Sequence, residues 1–271
     1  MSIRIVYTDL DGTMVGPYGC FFRSEDHAIT LDPARALIEL HAAGVALVLV
    51  SGRTRPQLLE AAAIFGADGF IAELGAIVGW DHGRSSQILR GSMPAELDQV
   101  PEALLADLVA RHPGRLEVHR PWHRGREVDI MLLGNIDVAE VDRWLVAEGF
   151  NWLTIRDNGI ISRASMPDLD DVPHVYHLVP DGVSKGNAVA FDLARRGLRP
   201  DEAIAIGDSA SDLVMAGHVG RMHLVANAVR HADLLGMLPD YDNVVVENAT
   251  LGTGWASAVR SALPTVRSAA V

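Results

Sequence analysis

The sequence predicts an α/β protein whose core is a Rossmann-like parallel sheet, interrupted by an inserted α+β domain. In the first and last thirds of the chain, short apolar segments alternate with helical segments, which indicates a parallel sheet covered by helices. The middle third instead repeats the order helix–strand–strand, which is typical of one antiparallel sheet with helices on one face. The chain has 271 residues, 49% of them hydrophobic. At roughly 150 residues per domain, this length allows one large domain or two modest ones.

The first third contains four predicted strands and two predicted helices. The continuous apolar segment Val45–Val50 has the composition of a strand that is buried on both faces. Both helices end at a glycine, Gly44 and Gly66, which is a common stop signal. In chain order the elements are strand Ile3–Tyr7, helix Pro33–Ala43, strand Val45–Val50, helix Pro56–Phe65, and strands Phe70–Ala72 and Ile77–Trp80.

The middle third is predicted to be an insert over residues 82–181, and the core is assigned to residues 1–81 and 182–271. The dipeptide Asp157-Asn158 predicts a turn between two short strands of this insert. Its elements are helix Pro101–Arg111, strands Arg115–His119 and Glu127–Leu133, helix Val138–Ala147, strands Asn151–Ile155 and Gly159–Arg163, and a further strand His174–Val179.

The last third returns to alternating helices and strands. Ser184 precedes a helical segment that begins at Lys185, and Gly197 closes it. The elements that follow are strand Ala203–Ile206, helix Ser209–Ala216, strands Met222–Val225 and Asn243–Val246, and a final helix Ser257–Val271.

Charge and composition exclude several classes of protein. Lys and Arg number 23 against 35 Asp and Glu, so the formal net charge is −12. Such a balance argues against a nucleic-acid-binding protein, but not against a small phosphorylated substrate bound at a locally positive site. The single cysteine, Cys20, excludes an internal disulfide framework and a multi-cysteine zinc site. With neither a signal-peptide pattern nor the roughly 20 apolar residues of a membrane span, we expect a cytoplasmic protein. The oligomeric state is left open.

The segment Asp9-Leu10-Asp11-Gly12-Thr13 directly follows the first predicted strand. Ligands of open α/β sheets bind at the carboxyl ends of the strands. Asp9 and Asp11 are two residues apart and can point to the same side of an extended chain. Because adjacent carboxylates repel, one of them retains its proton unless a cation lies between them. This pattern suits an acid–base pair or a Mg²⁺ site, and its structural alternative is an Asp-Gly turn beside a solvated aspartate.

Three further segments occupy equivalent places in the chain. Ser51-Gly52-Arg53-Thr54 follows a strand, and its hydroxyl and backbone N–H groups can hold a phosphate at a helix start. Lys185 lies at a helix N-terminus, where a cation opposes the helix dipole and is a poor choice for stability alone. Gly207-Asp208-Ser209-Ala210-Ser211-Asp212 follows another strand and adds two carboxylates. Taken singly, Ser51 and Lys185 are as well explained by ordinary structural roles.

Together and in this order, the four segments resemble the motifs of the haloacid dehalogenase superfamily of aspartate-nucleophile phosphohydrolases. The insert, with its doubled helix–strand–strand pattern, resembles the type IIB cap of the Cof-like, sucrose-phosphate phosphatase and mannosyl-3-phosphoglycerate phosphatase group. The resemblance covers essentially the whole chain. It implies a cap that selects the substrate and a core that carries the chemistry.

The resemblance also implies roles for individual residues. Asp9 is the expected nucleophile, and Asp11 is the expected general acid and base. Asp9, the backbone carbonyl of Asp11, and Asp208 are expected to bind Mg²⁺. The expected phosphoryl-binding residues come from three of the motifs: Gly12, Thr13, Ser51, Gly52 and Lys185, the last of which also screens the charge of Asp9. The expected supporting residues are Asp212, Ser211 (where the family more often has Asn) and Asn227.

The residues that contact the rest of the substrate are expected to be basic or aromatic, since Arg binds carboxylates and phosphates and Trp packs on sugar faces. The candidates are Arg53, Trp122, Arg124 and Arg163. A solvated loop with a packed Trp is the structural alternative for the two in the segment 120–126.

The sequence therefore predicts a Mg²⁺-dependent phosphomonoesterase that acts on a small phosphorylated metabolite, either a sugar phosphate or a phosphoglycerate-type compound. A phosphomutase of the phosphomannomutase type would use the same nucleophile, and would need a bisphosphate activator. A catalytically silent binding protein is disfavoured because Asp9, Asp11, Lys185 and Asp208 are all present.

Overall fold

The computed structural model describes residues 2–120, 122–160 and 165–263. The chain divides into two compact units. We call Met1–Gln87 with Ser184–Val271 the core unit, and Ile88–Val183 the insert unit. The core unit thus contains both ends of the chain.

The core unit is built on an eight-stranded sheet with the order β12-β11-β10-β1-β2-β3-β4-β5. Its strands are β1 Ile5–Thr8, β2 Ala46–Val50, β3 Gly69–Ala72, β4 Ile77–Trp80, β5 Ser85–Ile88, β10 Ala203–Gly207, β11 Arg221–Leu224 and β12 Val244–Val246. The strands from β12 to β3 are all parallel, and β4 pairs antiparallel with β3. The predicted parallel α/β core is confirmed, and the sequence pattern did not reveal β5, whose polar segment lacks a strand signal.

Within its described residues the core unit has six α-helices: α1 Asp32–Ala42, α2 Arg55–Phe65, α5 Lys185–Arg196, α6 Ala210–Leu213, α7 Ala232–Met237 and α8 Leu251–Ala262. The helix predicted over Ser209–Ala216 is shorter, because α6 passes into a 3-10 helix at Val214–His218. The final helix begins six residues before the predicted start at Ser257, and residues 264–271 of that prediction lie outside the described residues. Among the described helices, none combines the length and apolar character needed to cross a membrane.

The insert unit contains two helix–strand–strand repeats, α3-β6-β7 and α4-β8-β9. Their bounds are α3 Glu102–Arg111, β6 Leu116–Val118, β7 Ile130–Gly134, α4 Val138–Ala147, β8 Leu153–Ile160 and β9 His174–Pro180. The four strands form an antiparallel sheet with the order β6-β7-β9-β8. The repeat pattern read from the sequence is therefore present.

The predicted turn at Asp157-Asn158 is wrong, because β8 continues through these residues. The pairing of β8 with β9 is irregular between Asp157 and Ile160. Gly159 there has a φ of 90°, and its N–H donates to Asp157 Oδ1 at 2.8 Å. The turn-type residues thus produce a bulge within one strand, and the partner that closes the second repeat is β9.

A buried polar network ties helix α5 to the central strand of the core sheet. The Tyr7 hydroxyl in β1 donates to Asp192 Oδ2 at 2.9 Å. Arg196, one helical turn further along α5, donates from Nε to the same oxygen at 2.6 Å. Asp192 has no exposed surface, so its charge requires these partners. The network fixes the C-terminal half of α5 against β1.

The N-terminus of α5 is fixed by close backbone packing. Ser184 caps the helix by accepting the Asn187 N–H at 3.0 Å. Gly75 has a φ of 110°, and a Cβ atom at this position would lie 2.1 Å from the Ser184 carbonyl oxygen. No other residue type fits there without moving the helix start. Because Lys185 is the first residue of α5, Gly75 helps to determine where its side chain begins.

We expect Gly75→Ala to lower the free energy of unfolding by more than about 3 kcal/mol, since it combines a left-handed backbone with a steric overlap. Gly44→Ala is the matched control, because Gly44 has a φ of 67° with nothing within 4 Å of the added Cβ. It should cost only about 1 kcal/mol. Urea unfolding of both variants tests this, and equal losses would contradict the packing argument.

Candidate active site

Three strands of the core sheet end in polar residues at the same edge. Asp9 follows β1, Asp208 follows β10 and Ser51 follows β2. The Asp9 N–H donates to the Ile206 carbonyl in β10 at 2.9 Å, and the Ser51 N–H donates to the Ile71 carbonyl in β3 at 2.9 Å. Asp9 and Ser51 therefore continue the hydrogen-bonding pattern of the sheet, which fixes their backbones. The carboxyl edge of the sheet is where the sequence placed the site.

Lys185 connects two of the aspartates. Its Nζ donates to Asp9 Oδ1 at 2.9 Å and to Asp212 Oδ1 at 2.6 Å. The three side chains are 4%, 7% and 0% exposed, respectively. Burial alone would lower the pKa of Lys185, but the Asp212 and Asp9 carboxylates raise it above its usual range. The lysine is therefore a permanent cation beside the expected nucleophile.

Asp212 organises the loop between β10 and α6. Its Oδ2 accepts three hydrogen bonds, from the Asp208 N–H at 3.2 Å, the Ser209 N–H at 3.0 Å and the Ser209 hydroxyl at 2.6 Å. With Lys185 on Oδ1, the carboxylate receives four donors in all, which is about its full capacity. A Cβ at Gly207 would lie 2.3 Å from the Cβ of Asp212, so this glycine admits the side chain. The geometry makes Asp212 a residue that holds the loop and Lys185 in place.

Asp208 is held by residues from two other loops. The Thr13 hydroxyl donates to its Oδ1 at 3.1 Å, and Asn227 Nδ2 donates to its Oδ2 at 3.0 Å. Asn227 also donates to the Gly12 carbonyl at 2.9 Å. Gly12 has a φ of 90°, and a Cβ there would lie 2.3 Å from Asp208 Oδ2. The glycine of the first motif is thus required for the close approach of the Asp208 carboxylate.

The structure shows contacts of Thr13 and Asn227 that the sequence did not indicate. Thr13 is fully buried, and its hydroxyl is used on Asp208, so its expected contact with a phosphoryl group remains a prediction. Asn227 was singled out only by its place after a strand, and it bridges the Asp9–Thr13 segment to Asp208. Ser211 contacts Ser209 through their hydroxyl groups at 2.9 Å and makes no direct bond to Asp208 or Asp212 among the described contacts.

The aspartates of this edge form a group that suits a cation. Asp9, Asp208 and Asp212 each offer a carboxylate oxygen, and these oxygens lie within 4.8 Å of one another. Burial and the neighbouring Asp212 raise the pKa of Asp208 to about 7, and burial also raises the pKa of Asp9, despite the opposing effect of Lys185. Burial is the main cause of both shifts, and a cation bound between the carboxylates would favour their charged forms. Oxygen ligands of this kind match Mg²⁺.

Asp9 and Asp208 are better placed than Asp212 to hold a metal ion. Asp208 receives two donors on its four acceptor positions, whereas Asp212 is fully occupied by Lys185 and its own loop. The expected ligand set of Asp9, the Asp11 carbonyl and Asp208 therefore stays a prediction that fits the side chains present.

Asp11 is held by an arginine that follows Ser51. Arg53 Nε donates to Asp11 Oδ2 at 2.7 Å, and Arg53 Nη2 donates to Asp11 Oδ1 at 2.6 Å. The Arg53 N–H donates to the Ser51 hydroxyl oxygen at 3.2 Å. Ser51 is buried, and Gly52 adjoins it in the same turn. The structure thus joins the first and second motifs through a two-pronged ion pair that no sequence signal indicated.

The other candidates for substrate contact lie in the insert unit or outside the described residues. Trp122 is 53% exposed and Arg124 is also exposed, whereas Arg163 lies outside the part of the chain that the structure describes. Arg126 of the same segment points inward, with Nη1 2.6 Å from Asp129 Oδ1 and Nε 3.2 Å from the Trp122 carbonyl oxygen. Arg126 therefore anchors the loop that carries Trp122 and Arg124.

One segment of the chain matches a model of a known protein family. A model of the family described as haloacid dehalogenase-like hydrolase matches residues 169–233, which include Lys185, Asp208 and Asp212. The matched segment is less than half of the chain. The fold, with its two helix–strand–strand repeats in the insert unit, is similar to that of a haloacid dehalogenase-like hydrolase from Bacteroides thetaiotaomicron, with a TM-score of 0.64 at 17% identity over 96% of this chain and 99% of its own.

Relatives of the chain cover nearly its whole length. A phosphoglycolate phosphatase of Methanopyrus kandleri is 28% identical over 267 residues, which are 97% of this chain and 98% of the relative. A phosphoglycolate phosphatase of Sulfolobus acidocaldarius is 26% identical over 83% of this chain and 85% of its own. The sucrose-phosphatase of Synechocystis sp. PCC6803, solved with sucrose and phosphate, has a TM-score of 0.66 at 16% identity over 97% of this chain and 98% of its own. The expectation that this chain is a hydrolase is confirmed.

We expect Mg²⁺ to raise the thermal stability of the protein, because a cation that binds only the folded site stabilises it by about 2.7 kcal/mol at a hundredfold excess over Kd. Asp208→Asn should abolish this gain while leaving the metal-free protein at least as stable, since one of three adjacent carboxylates is removed. Melting curves across a Mg²⁺ titration measure the effect. The exposed Asp242→Asn is the control and should respond as the wild type does; an equal response in Asp208→Asn would rule out this metal site.

The affinity for Mg²⁺ should also depend on pH. The pKa of Asp208 in the metal-free site is raised to about 7, so below that pH the ion must displace a proton. The apparent affinity should fall by at least about tenfold for each pH unit below 7, because the raised pKa of Asp9 can add a second proton for the ion to displace. Titration calorimetry on both sides of pH 7, in buffers of different ionisation enthalpy, measures affinity and proton release together. Asp242→Asn should show the same profile, and an affinity that is constant through pH 7 would contradict the raised pKa.

Proposed function

We propose that this chain is a Mg²⁺-dependent phosphomonoesterase that hydrolyses a small phosphorylated metabolite through an aspartyl-phosphate at Asp9. The observation that carries the proposal is the contact of Lys185 with both Asp9 and Asp212. A buried lysine beside an aspartate at a strand end suits a carboxylate that must attack a phosphate dianion. Like charges repel there, and fixed positive charge is what lowers the barrier.

In the first step Asp9 attacks phosphorus, and the bond to the leaving oxygen breaks. Lys185 keeps the Asp9 carboxylate oriented and offsets the negative charge of the phosphoryl oxygens. Ser51, which follows the neighbouring strand β2, is proposed to bind the same phosphoryl group through its hydroxyl. When bound at Asp9 and Asp208, Mg²⁺ supplies further positive charge for the transferring phosphoryl group.

In the second step a water molecule attacks phosphorus and releases Asp9. The same residue then serves as acid in the first step, protonating the leaving oxygen, and as base in the second, taking a proton from water. Asp11 is proposed for this role, because it lies two residues from Asp9 and is half exposed to solvent. Its present contact with Arg53 must be exchanged before it can transfer a proton, since Arg53 occupies both carboxylate oxygens.

The substrate class is suggested by the relatives. The curated relatives named above are phosphoglycolate phosphatases, which makes 2-phosphoglycolate the first compound to assay. Sugar phosphates form the second group, in view of the structural similarity to a sucrose-phosphatase. Within the insert unit, Trp122 and Arg124 are exposed side chains that can contribute to the choice.

Phosphate release from p-nitrophenyl phosphate and from a panel of phosphorylated metabolites, with and without Mg²⁺, tests the proposal. We expect hydrolysis that requires Mg²⁺, and a loss of at least about 10³-fold in kcat for Asp9→Asn, because the nucleophile is removed. The control is Asp242→Asn, an exposed aspartate of the same unit that should retain full activity.

Wild-type-like turnover by Asp9→Asn would exclude Asp9 as the nucleophile. Turnover that depends on an added bisphosphate, with little free phosphate released, would assign the chain to the phosphomutases instead. Binding of phosphorylated compounds without any turnover would make it a binding protein.

A further inference from the structure

The Arg53 guanidinium binds the Asp11 carboxylate in the geometry with which it could also bind the carboxylate of a ligand. Its Nε and Nη2 form two parallel hydrogen bonds, of 2.7 and 2.6 Å, with the two oxygens of Asp11. This fork recognises planar carboxylates through shape as well as charge. Hydrogen bonding to Asp11 raises the pKa of Arg53 further above its usual value, so the guanidinium is always charged.

The backbone of Arg53 is fixed independently of Asp11. The Arg53 N–H donates to the Ser51 hydroxyl oxygen at 3.2 Å, and the Arg53 carbonyl accepts the Glu73 N–H at 3.0 Å. Thr54, the next residue, caps helix α2. Arg53 can therefore exchange its partner by moving its side chain alone. Its backbone stays fixed two residues after Ser51.

The surroundings of the pair allow such an exchange. The Arg53 and Asp11 side chains are 32% and 53% exposed, so a small solute has access to them. Gly19, in the turn Pro17–Gly19, lies beside the guanidinium, since a Cβ there would lie 3.5 Å from Arg53 Nη2. A partly covered, charged fork of this kind binds an anion more strongly than a fully solvated arginine does.

We propose that Arg53 is a specificity-determining residue that binds the carboxylate of a small phosphorylated carboxylic acid, in exchange for the carboxylate of Asp11. This inference rests on the proposed phosphatase function and names its substrate class. The exchange trades one ion pair for another of the same geometry, so its net cost is small. It also releases both oxygens of Asp11 at the moment when they are needed for proton transfer. A substrate without a carboxylate leaves Arg53 on Asp11.

Comparing 2-phosphoglycolate with ethyl phosphate, which is similar in size but lacks the carboxylate, isolates this contribution. Arg53→Lys keeps the charge and removes the fork. It should lower kcat/KM for 2-phosphoglycolate about 10- to 100-fold more than for ethyl phosphate, mainly through KM, since two charge-assisted hydrogen bonds are lost. The matched control is Arg260→Lys, because Arg260 makes a similar two-pronged pair with Glu39 on the surface, with bonds of 2.7 and 3.2 Å; its ratio should stay at the wild-type value.

Equal losses for the two substrates in Arg53→Lys would overturn the inference and would leave Arg53 as a positioning residue for Asp11. A second measurement keeps the inference testable even if the wild type hydrolyses neither compound. Calorimetric binding of 2-phosphoglycolate and ethyl phosphate to Asp9→Asn, with Mg²⁺ present, is compared with binding to Asp9→Asn/Arg53→Lys. A selective loss of 2-phosphoglycolate affinity supports the inference, and unchanged or equally reduced affinities refute it.

Discussion

The arrangement of the site depends on one buried interaction, the contact of the Lys185 ammonium with the carboxylates of Asp9 and Asp212. These residues come from the start of helix α5, the end of strand β1 and the start of helix α6, so the ion pairs join segments that are far apart in sequence. A charged group buried in this way is costly unless it is paired, and removing one partner of such a pair typically costs about 3–5 kcal/mol. The lysine therefore holds the sheet edge together as well as offsetting its negative charge.

The rest of the core unit supports that contact. Tyr7, Asp192 and Arg196 tie α5 to β1 along its length, while Gly75 admits the start of the helix. On the other side, Asp212 fixes the loop after β10 through Ser209, and Gly12 with Asn227 brings Asp208 close. The glycines matter because each one lets a polar group approach to a distance that a Cβ would prevent.

The sequence was sufficient for the fold class, for the resemblance to haloacid dehalogenase-like hydrolases and for the residue types at the sheet edge. Buried strands such as Val45–Val50 and polar residues directly after them are local signals, and these signals were enough to place Asp9 and Asp208 at one sheet edge. The place of Lys185 beside Asp9 was an implication of the family resemblance. The turn predicted at Asp157-Asn158 is wrong because these residues form a bulge of β8 where it pairs with β9. This pairing is a tertiary contact that the local sequence does not show. Strand β5 was missed because its exposed, polar residues carry no strand pattern.

Side-chain contacts between distant segments of the chain could not be predicted in the same way. Arg53 was a candidate from its basic side chain alone, and its pairing with Asp11 depends on how the first and second motifs meet in space. The network of Tyr7, Asp192 and Arg196 likewise depends on the packing of α5 on the sheet, for which no spacing rule exists. Side-chain partners between distant segments are set by packing, so only the structure reveals them.

The central claim is that Asp9 becomes covalently phosphorylated during turnover. The most direct test is to mix Mg²⁺-loaded Asp11→Asn with substrate, quench in acid and map the modified peptide by mass spectrometry. The substrate is p-nitrophenyl phosphate, because its leaving group needs no proton from Asp11 in the first step. Asp11→Asn then lacks only the proposed base for the second step, so the intermediate should accumulate. The account predicts a phosphoryl group on the peptide that contains Asp9, and none in the variant that also carries Asp9→Asn. A phosphoryl group on another residue, or turnover with an unmodified Asp9 throughout, would contradict it.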